Sequence, residues 1–245
     1  MQIDLLTLFP EFFRSPLSQS MLQRAQGQGA VSYRLINLRD FTRDRHQVTD
    51  DRPFGGGHGM VMKIEPLVAA IRAVRQEDPG TRVILLSPSG AVFNQARARE
   101  LADRSHLLLI CGHYEGVDAR LHFYIDEELS IGDYILTGGE IPALIVLDAV
   151  TRLRPGVLGG EGATEEESFQ AGLLEYPHYT RPREFEGHAV PEVLLAGDHQ
   201  RIAQWRRRQA LARTVARRPD LLAKAVLSKE DREFITSLAQ EPGGR

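Results

Sequence analysis

The stretch best suited to binding chemistry spans residues 130–143 and is rich in glycine. Its sequence, SIGDYILTGGEIPA, sets a Gly-Asp turn and a Gly-Gly turn close together, followed by a Glu-Ile-Pro helix start. Backbone without side chains can approach the edge of a flat ligand closely. The same stretch also fits two surface turns around a short edge strand, so both interpretations stay open at this point.

Motifs that bind nucleotide phosphates are missing. The sequence has no G-x-x-x-x-G-K-[ST], and GGGHG at 55–59 neither extends into G-x-G-x-x-G nor follows a convincing strand. Glycine-rich turns without a phosphate site fit a nucleoside whose base edge is recognised by backbone N–H and C=O groups. S-adenosylmethionine is such a ligand.

Arginine is concentrated in RIAQWRRRQALARTVARR, residues 201–218, which carries seven arginines and no acidic residue. Repeated arginines along a helix can contact phosphates without reading sequence. The alternative is a solvated helix face, but such faces usually intersperse both signs of charge. We therefore favour a nucleic-acid partner. PHYTRPR (177–183) interleaves aromatic and basic residues, as surfaces that stack unpaired bases do, or forms a proline-stiffened connector.

Metal and thiol chemistry have little support. Cys111 is the single cysteine, which excludes an intramolecular disulfide and a multi-thiolate zinc site, and its place after an apolar run predicts burial. The polar loop 39–60 carries His46 among several aspartates without regular ligand spacing. We assign no metal ligand and expect this loop to close over a substrate.

Composition places these motifs in a soluble protein. The chain has 245 residues, 42% hydrophobic and 26% charged, with a formal net charge of −3. No apolar run approaches the roughly 20 residues that span a bilayer, and the N-terminus lacks the features of a signal peptide. We expect a cytoplasmic protein without a membrane partner.

The elements that must position the motifs follow an α/β pattern. Short apolar runs predict strands at 3–9, 31–38, 82–87, 106–111 and 127–131. The continuous apolarity of 82–87 and 106–111 predicts strands covered on both faces, as in a parallel sheet between helices. Amphipathic helices are predicted over Glu65–Arg75 and Asn94–Asp103. Glycine-containing turns at three strand ends should converge, since ligand sites of such sheets lie at the carboxyl ends of strands.

The last third of the chain changes character. Glycine and glutamate dominate residues 155–177, after which helical spacing predominates, with Asp198 as a predicted N-cap. The predicted organisation is an α/β domain over 1–155, a flexible linker over 156–177 and a small all-helical domain over 178–245.

An ordered series of motifs carries a family resemblance: DRPFGGGHGM, LSPSG, CGHYEGVDAR, SIGDYILTGGEIPA, RPGVLG, PHYTRP and the arginine-rich helix around Trp205. The chain resembles the bacterial tRNA (guanine-N1)-methyltransferases, the TrmD type of the SPOUT superfamily, up to about Pro219. The resemblance implies a trefoil-knotted α/β domain, whereas physical rules on topology favour an open, unknotted sheet.

In this family the knot loops bind S-adenosylmethionine, and the active site is shared between the two subunits of an obligate homodimer. The resemblance thereby implies a set of cofactor-binding residues at the three strand ends: Leu85, Leu86, Ser87, Pro88, Gly112, Tyr114, Glu115, Gly116, Ile131, Gly132, Asp133, Tyr134, Ile135, Leu136, Gly138 and Gly139.

The implied reaction transfers a methyl group to N1 of the guanosine at tRNA position 37, which follows another guanosine. N1 carries a proton at neutral pH, so the reaction needs a carboxylate base and a cation for charge on O6. The family's guanidinium corresponds to Arg152, and its aspartate base falls on Glu167, with Glu165 and Glu166 as alternatives. Implied tRNA-binding residues are Asp50, His178, Tyr179, Arg181, Arg206, Arg207, Arg208 and Arg213.

The family also leads us to expect Mg²⁺, for which no ligand can be assigned. Two alternatives remain: a knotted methyltransferase of ribose 2′-hydroxyls, and a non-catalytic RNA-binding module.

Overall fold

The computed structural model of the protein describes residues 1–159 and 167–240. The chain divides into two compact units, Met1–Gly160 and Glu161–Arg245. The first unit is α/β and the second is mainly helical. No helix among the described residues is long and apolar enough to cross a membrane.

The first unit contains seven strands, five of which form one parallel sheet in the order β2-β1-β6-β5-β7. β3 and β4 form a separate antiparallel pair. All five predicted strands are confirmed. In chain order the strands are β1 (Gln2–Thr7), β2 (Ser32–Asn37), β3 (Asp50–Asp51), β4 (Val61–Met62), β5 (Arg82–Val92), β6 (His106–Cys111) and β7 (Glu127–Ser130).

Helices cover both faces of the sheet because its strands are apolar on both sides. In β6, Leu107, Leu109 and Cys111 belong to one hydrophobic cluster, while Leu108 and Ile110 belong to the other. The helices are α1 (Glu11–Leu17), α2 (Ser20–Gly27), α3 (Ile64–Glu77), α4 (Gln95–Ala102) and α5 (Glu140–Thr151). α3 and α4 confirm the predicted amphipathic segments, and Glu140 begins α5 as its Glu-Ile-Pro motif predicts. α1 and α2 were not predicted.

The second unit is built around two helices, α6 (His199–Arg217) and α7 (Lys229–Gln240). Asp198 caps α6, as predicted: its side chain accepts hydrogen bonds from Gln200 N and Arg201 N. The core of this unit contains Leu173, Ala210 and Leu211.

A short hairpin corrects the prediction of an all-helical C-terminal region. β8 (Glu184–Phe185) pairs antiparallel with β9 (His188–Ala189). The two residues between them, Glu186 and Gly187, have φ of 51° and 81°. Positive φ at both central residues is the geometry of the tight turns that suit hairpins.

The segment predicted as a linker, 156–177, contributes to packing at its described ends. Val157 is fully buried in the core of the first unit, and Leu173 is 5% exposed in that of the second. The alternative bases Glu165 and Glu166 lie outside the described residues. The three predicted segments, 1–155, 156–177 and 178–245, and the knotted path stay predictions.

Candidate functional site

A cavity of about 310 Å³ opens at the carboxyl ends of β6 and β7 and beside residues 85–88 of β5, the strand that lies between them in the sheet. The three predicted glycine-containing segments converge on it. Every residue predicted to bind the cofactor lines this cavity except Asp133. Six lining residues were not predicted: His113, Val117, Leu129, Ser130, Thr137 and Pro142. All six adjoin or lie within the quoted motifs, so the turns themselves were the available signal.

Close backbone approach forms one wall of the cavity. Gly139 N donates to Gly112 O at 2.8 Å, and His113 forms a bridge with Gly138. A Cβ at Gly139 would lie 2.6 Å from Cys111 Cα and 2.9 Å from Gly112 N, so only glycine fits without a backbone shift. This contact explains the Gly-Gly pair of the opening motif and joins two of the three segments.

Buried polar groups lie behind this wall. Glu140 is 6% exposed, and its carboxylate accepts a hydrogen bond from Thr7 Oγ1 at 2.8 Å. Its other oxygen lies 3.9 Å from His113 Nδ1. Burial, aided by the Glu140 charge, raises the pKa of Cys111 well above its ordinary value, so Cys111 is a buried, protonated thiol as predicted.

The loop that contains Asp50 is attached to the cavity wall. Glu115 N donates to Met60 O at 3.0 Å, and Met62 N donates to Gly116 O at 2.9 Å. Tyr114 has φ of +59°, and burial together with the Asp50 carboxylate raises its pKa, against the effect of Arg39. The structure thus brings Asp50, a predicted tRNA-binding residue, next to a residue of the cavity.

The two predicted catalytic residues belong to different units. Arg152 follows the last turn of α5, where its N donates to Asp148 O at 3.1 Å. Glu167 begins a compact loop in the second unit, in which Phe169 N donates to Leu173 O at 2.8 Å. Both side chains are half-buried. Their roles stay predictions.

In the second unit, aromatic and arginine side chains stack between the PHYTRP segment and α6. The Arg206 guanidinium lies 4.7 Å from the centre of the Tyr176 ring, and the Tyr179 and Trp205 rings are 6.3 Å apart. The His178 ring contacts Tyr176 at 4.9 Å and bonds Glu175 at 2.8 Å. Such rings and cations are the groups that stack on unpaired bases.

The arginines of α6 are not uniformly available to a ligand. Arg207 donates to Asp231 at 2.7 Å and to Val226 O at 3.0 Å, which ties α6 to the start of α7. Arg208 lies over Phe234, and Arg218, which directly follows α6, pairs with Asp220. The helix itself lacks acidic residues, but neighbouring elements supply them. Arg207, one of the residues predicted to bind tRNA, therefore has a structural role within the second unit.

No group of three or more His, Cys, Asp or Glu side chains suited to a metal ion occurs among residues 1–159 and 167–240.

Comparison with known proteins places this geometry in a family. The model of the family described as tRNA (Guanine-1)-methyltransferase TrmD matches residues 1–224.

The chain belongs to this family.

Curated relatives are similar over nearly the whole chain. A tRNA (guanine-N(1)-)-methyltransferase of Dictyoglomus turgidum is 55% identical over 241 residues, 98% of each chain. The protein of the same name from Carboxydothermus hydrogenoformans is 57% identical over 95% of this chain and 91% of its own. That from Moorella thermoacetica is 54% identical over 100% of this chain and 99% of its own. Membership of the family confirms the resemblance found in the sequence.

Proposed function

We propose that the protein methylates N1 of guanosine in tRNA, at position 37, with S-adenosylmethionine as methyl donor. The observation that supports this proposal most directly is the cavity formed at the ends of β6 and β7 and by residues 85–88 of β5, in a chain that belongs to the family of tRNA (guanine-1)-methyltransferases. The relatives' names favour this activity over ribose methylation and over a non-catalytic RNA-binding module.

The cavity suits the proposed donor. About 310 Å³ lies at the lower end of the range for small-molecule sites, and the lining is more apolar than polar. The lack of a side chain at Gly139 lets its backbone pack directly against Cys111 and Gly112 at the cavity wall. When bound, S-adenosylmethionine supplies an electrophilic methyl group on a sulfonium.

The chain's own residues supply the remaining chemistry. The Glu167 carboxylate accepts the proton of guanine N1 as the new N–C bond forms, and the Arg152 guanidinium stabilises negative charge that develops on O6. The reaction is balanced by release of the neutral thioether and one proton. Mg²⁺ stays an expectation from the family alone.

We further propose a homodimer in which Arg152 of one chain and Glu167 of its partner form each site. The support is an apolar surface on two helices that pack together: α1 and the segment before it expose Phe9 (44%) and Phe12 (46%), and α5 exposes Ile141 (47%) and Ile145 (41%). Apolar groups exposed in this way on one face suit burial against a second copy.

For tRNA we propose the surface formed by the Tyr176–Tyr179 segment and α6, with Asp50 contributing beside the cavity. A cytoplasmic location follows from this substrate. The rings that stack near Trp205 provide groups that bind single-stranded loops. Phosphates can be bound by Arg201, Arg213 and Arg217, which have no ion pair among residues 1–159 and 167–240.

A complementation experiment tests the reaction and the shared site together. Arg152→Ala and Glu167→Ala homodimers should each bind adenosylmethionine but transfer little labelled methyl to tRNA. A mixed dimer of the two variants should regain up to half of the wild-type activity, since one of its sites contains both residues. Activity in either homodimer would remove that residue from the reaction, and an inactive mixed dimer would place both residues of each site in one chain.

A further inference from the structure

Ser87 and Pro88 line the cofactor cavity and lie where the pairing between β5 and β7 is interrupted. Pairing between β5 and β7 proceeds to Leu86 opposite Leu129 and resumes with Ala91 opposite the same Leu129. Residues 87–90 therefore bulge out of the ladder, and nothing in the regular strand pairing fixes their shape.

The carboxylate of Glu128, on β7, is hydrogen-bonded to this bulge. Ser89 Oγ donates to Glu128 Oε2 at 2.5 Å, and the Ser87 and Ser89 hydroxyls are 2.7 Å apart. Backbone contact adds to the attachment, because a Cβ at Gly90 would lie 2.5 Å from Leu129 N. A chain of hydrogen bonds thus runs from β7 to a residue of the cavity wall.

Glu128 is held from its far side by His122, whose Nδ1 lies 3.1 Å from Oε1. Burial raises the pKa of Glu128, but hydrogen bonds from Ser89, Ser87 and His122 outweigh it and hold the pKa below its ordinary value. The carboxylate therefore stays an acceptor at neutral pH, as the Ser89 bond requires.

These hydrogen-bonded side chains line a second cavity of about 670 Å³. It shares five residues with the cofactor cavity: Leu85, Ser87, Glu115, Gly116 and Val117. Other charged groups that line it are Glu115, Asp118 and Arg120, of which Asp118 and Arg120 are paired with each other. Glu128 thus contacts the bulge from outside the cofactor cavity and is not among the residues that line it.

We propose that Glu128 is a positioning residue for cofactor binding: through Ser89 it holds Ser87 and Pro88 in the shape that accepts the adenosylmethionine. The inference rests on the proposed function, since it concerns the same cavity. It adds a residue outside that cavity to the determinants of cofactor affinity.

The test is a double-mutant cycle with cofactor KM, cofactor Kd and kcat as readouts. Ser89→Ala and Glu128→Ala should each raise KM and Kd for adenosylmethionine about tenfold, the cost of losing a hydrogen bond to a charged group. kcat should change less than about twofold, because the reacting atoms are not touched. The double variant should be no worse than Glu128→Ala alone.

Two further variants separate positioning from general support of the fold. Glu128→Gln keeps an oxygen acceptor for Ser89 and should restore most of the affinity. Glu127→Ala is the matched control, since Glu127 is the preceding carboxylate on β7 and pairs with Arg82 and Arg97 instead of the bulge. Its KM should equal that of the wild type.

Additive losses in the cycle, or an unchanged cofactor KM in Glu128→Ala, would overturn the inference while leaving the proposed function intact. An equal loss of affinity in Glu127→Ala would also overturn it, because the effect would then be general to β7. Failure of the wild-type protein to bind adenosylmethionine would overturn the proposed function and this inference with it.

Discussion

Thr7 Oγ1 donates a hydrogen bond of 2.8 Å to the Glu140 carboxylate, and both side chains are buried. The bond joins the end of β1 to the first residue of α5, 133 positions apart in the sequence. It holds the start of α5 directly behind the Gly138-Gly139 turn of the cavity. A buried carboxylate such as that of Glu140 needs hydrogen-bond donors, because a buried polar group without a hydrogen bond destabilises the folded protein.

Replacement of Thr7 by valine should therefore destabilise the protein. Thr7→Val keeps the shape of the side chain but removes the donor to Glu140, at a cost of about 1–3 kcal/mol in the free energy of unfolding. Urea unfolding followed by circular dichroism measures this change. Wild-type stability would contradict a supporting role for this bond.

Gly139→Ala should distort the cavity, because its Cβ would meet the backbone of Cys111 and Gly112. Backbone cannot move aside as a flexible side chain can, so we expect adenosylmethionine affinity to fall by more than about tenfold, with lower stability. Gly27→Ala is the control, since a Cβ there meets nothing within 4 Å. Calorimetric titration compares the two, and equal affinities would contradict the close contact.

The Arg207–Asp231 pair should make the second unit sensitive to acid. The Arg207 guanidinium holds the pKa of Asp231 below its ordinary value, although burial alone would raise that pKa. Asp231 also accepts a hydrogen bond from Ser228 N at 2.9 Å. A carboxyl group whose pKa is lower in the folded protein than in the unfolded chain stabilises the fold at pH values above its unfolded-state pKa. This stabilisation is lost as the pH falls through its folded-state pKa.

Asp231→Asn should accordingly cost about 1–3 kcal/mol at pH 7, and the difference from the wild type should shrink as pH drops below about 4. Thermal unfolding across pH 3–7 measures it. A difference that is constant with pH would show that the charge of Asp231 does not carry the effect.

The arginines of α6 should differ in their contribution to tRNA binding. Arg213 has no ion pair among the described residues, so Arg213→Gln should weaken binding and reduce the slope of log K against log salt by about 1. The control is Arg14→Gln in the first unit, where Arg14 pairs with Glu11 on the surface. Filter binding over a salt series gives both slopes, and an unchanged slope for Arg213→Gln would exclude a phosphate contact.

The sequence sufficed for the sheet strands and for most of the cavity lining. Short apolar runs identify β1, β2, β5, β6 and β7. The signal is strongest in β6, all of whose residues are buried, because burial on both faces leaves a nearly continuous apolar run. The turns after three of these strands contain most residues of the cavity. Short α1, which lacks a side-chain cap and contains Pro16, has no comparable signal and was missed.

Long-range partners could not be predicted from the sequence. The Thr7–Glu140 bond and the Glu128–Ser89 bond depend on strand order and on the bulge in β5, which local propensity does not encode. The arginine-rich helix shows the same limit: its composition suggested seven available cations, but Asp231 and Asp220 lie on later elements and pair with two of them.

The most direct test of the proposed function is mass spectrometry of unmodified tRNA after incubation with the wild-type protein and adenosylmethionine. Nuclease digestion should yield 1-methylguanosine in the fragment that contains position 37, and a tRNA with that guanosine replaced should gain no methyl group. Methylation on ribose, on another base or at no site would contradict the proposed reaction.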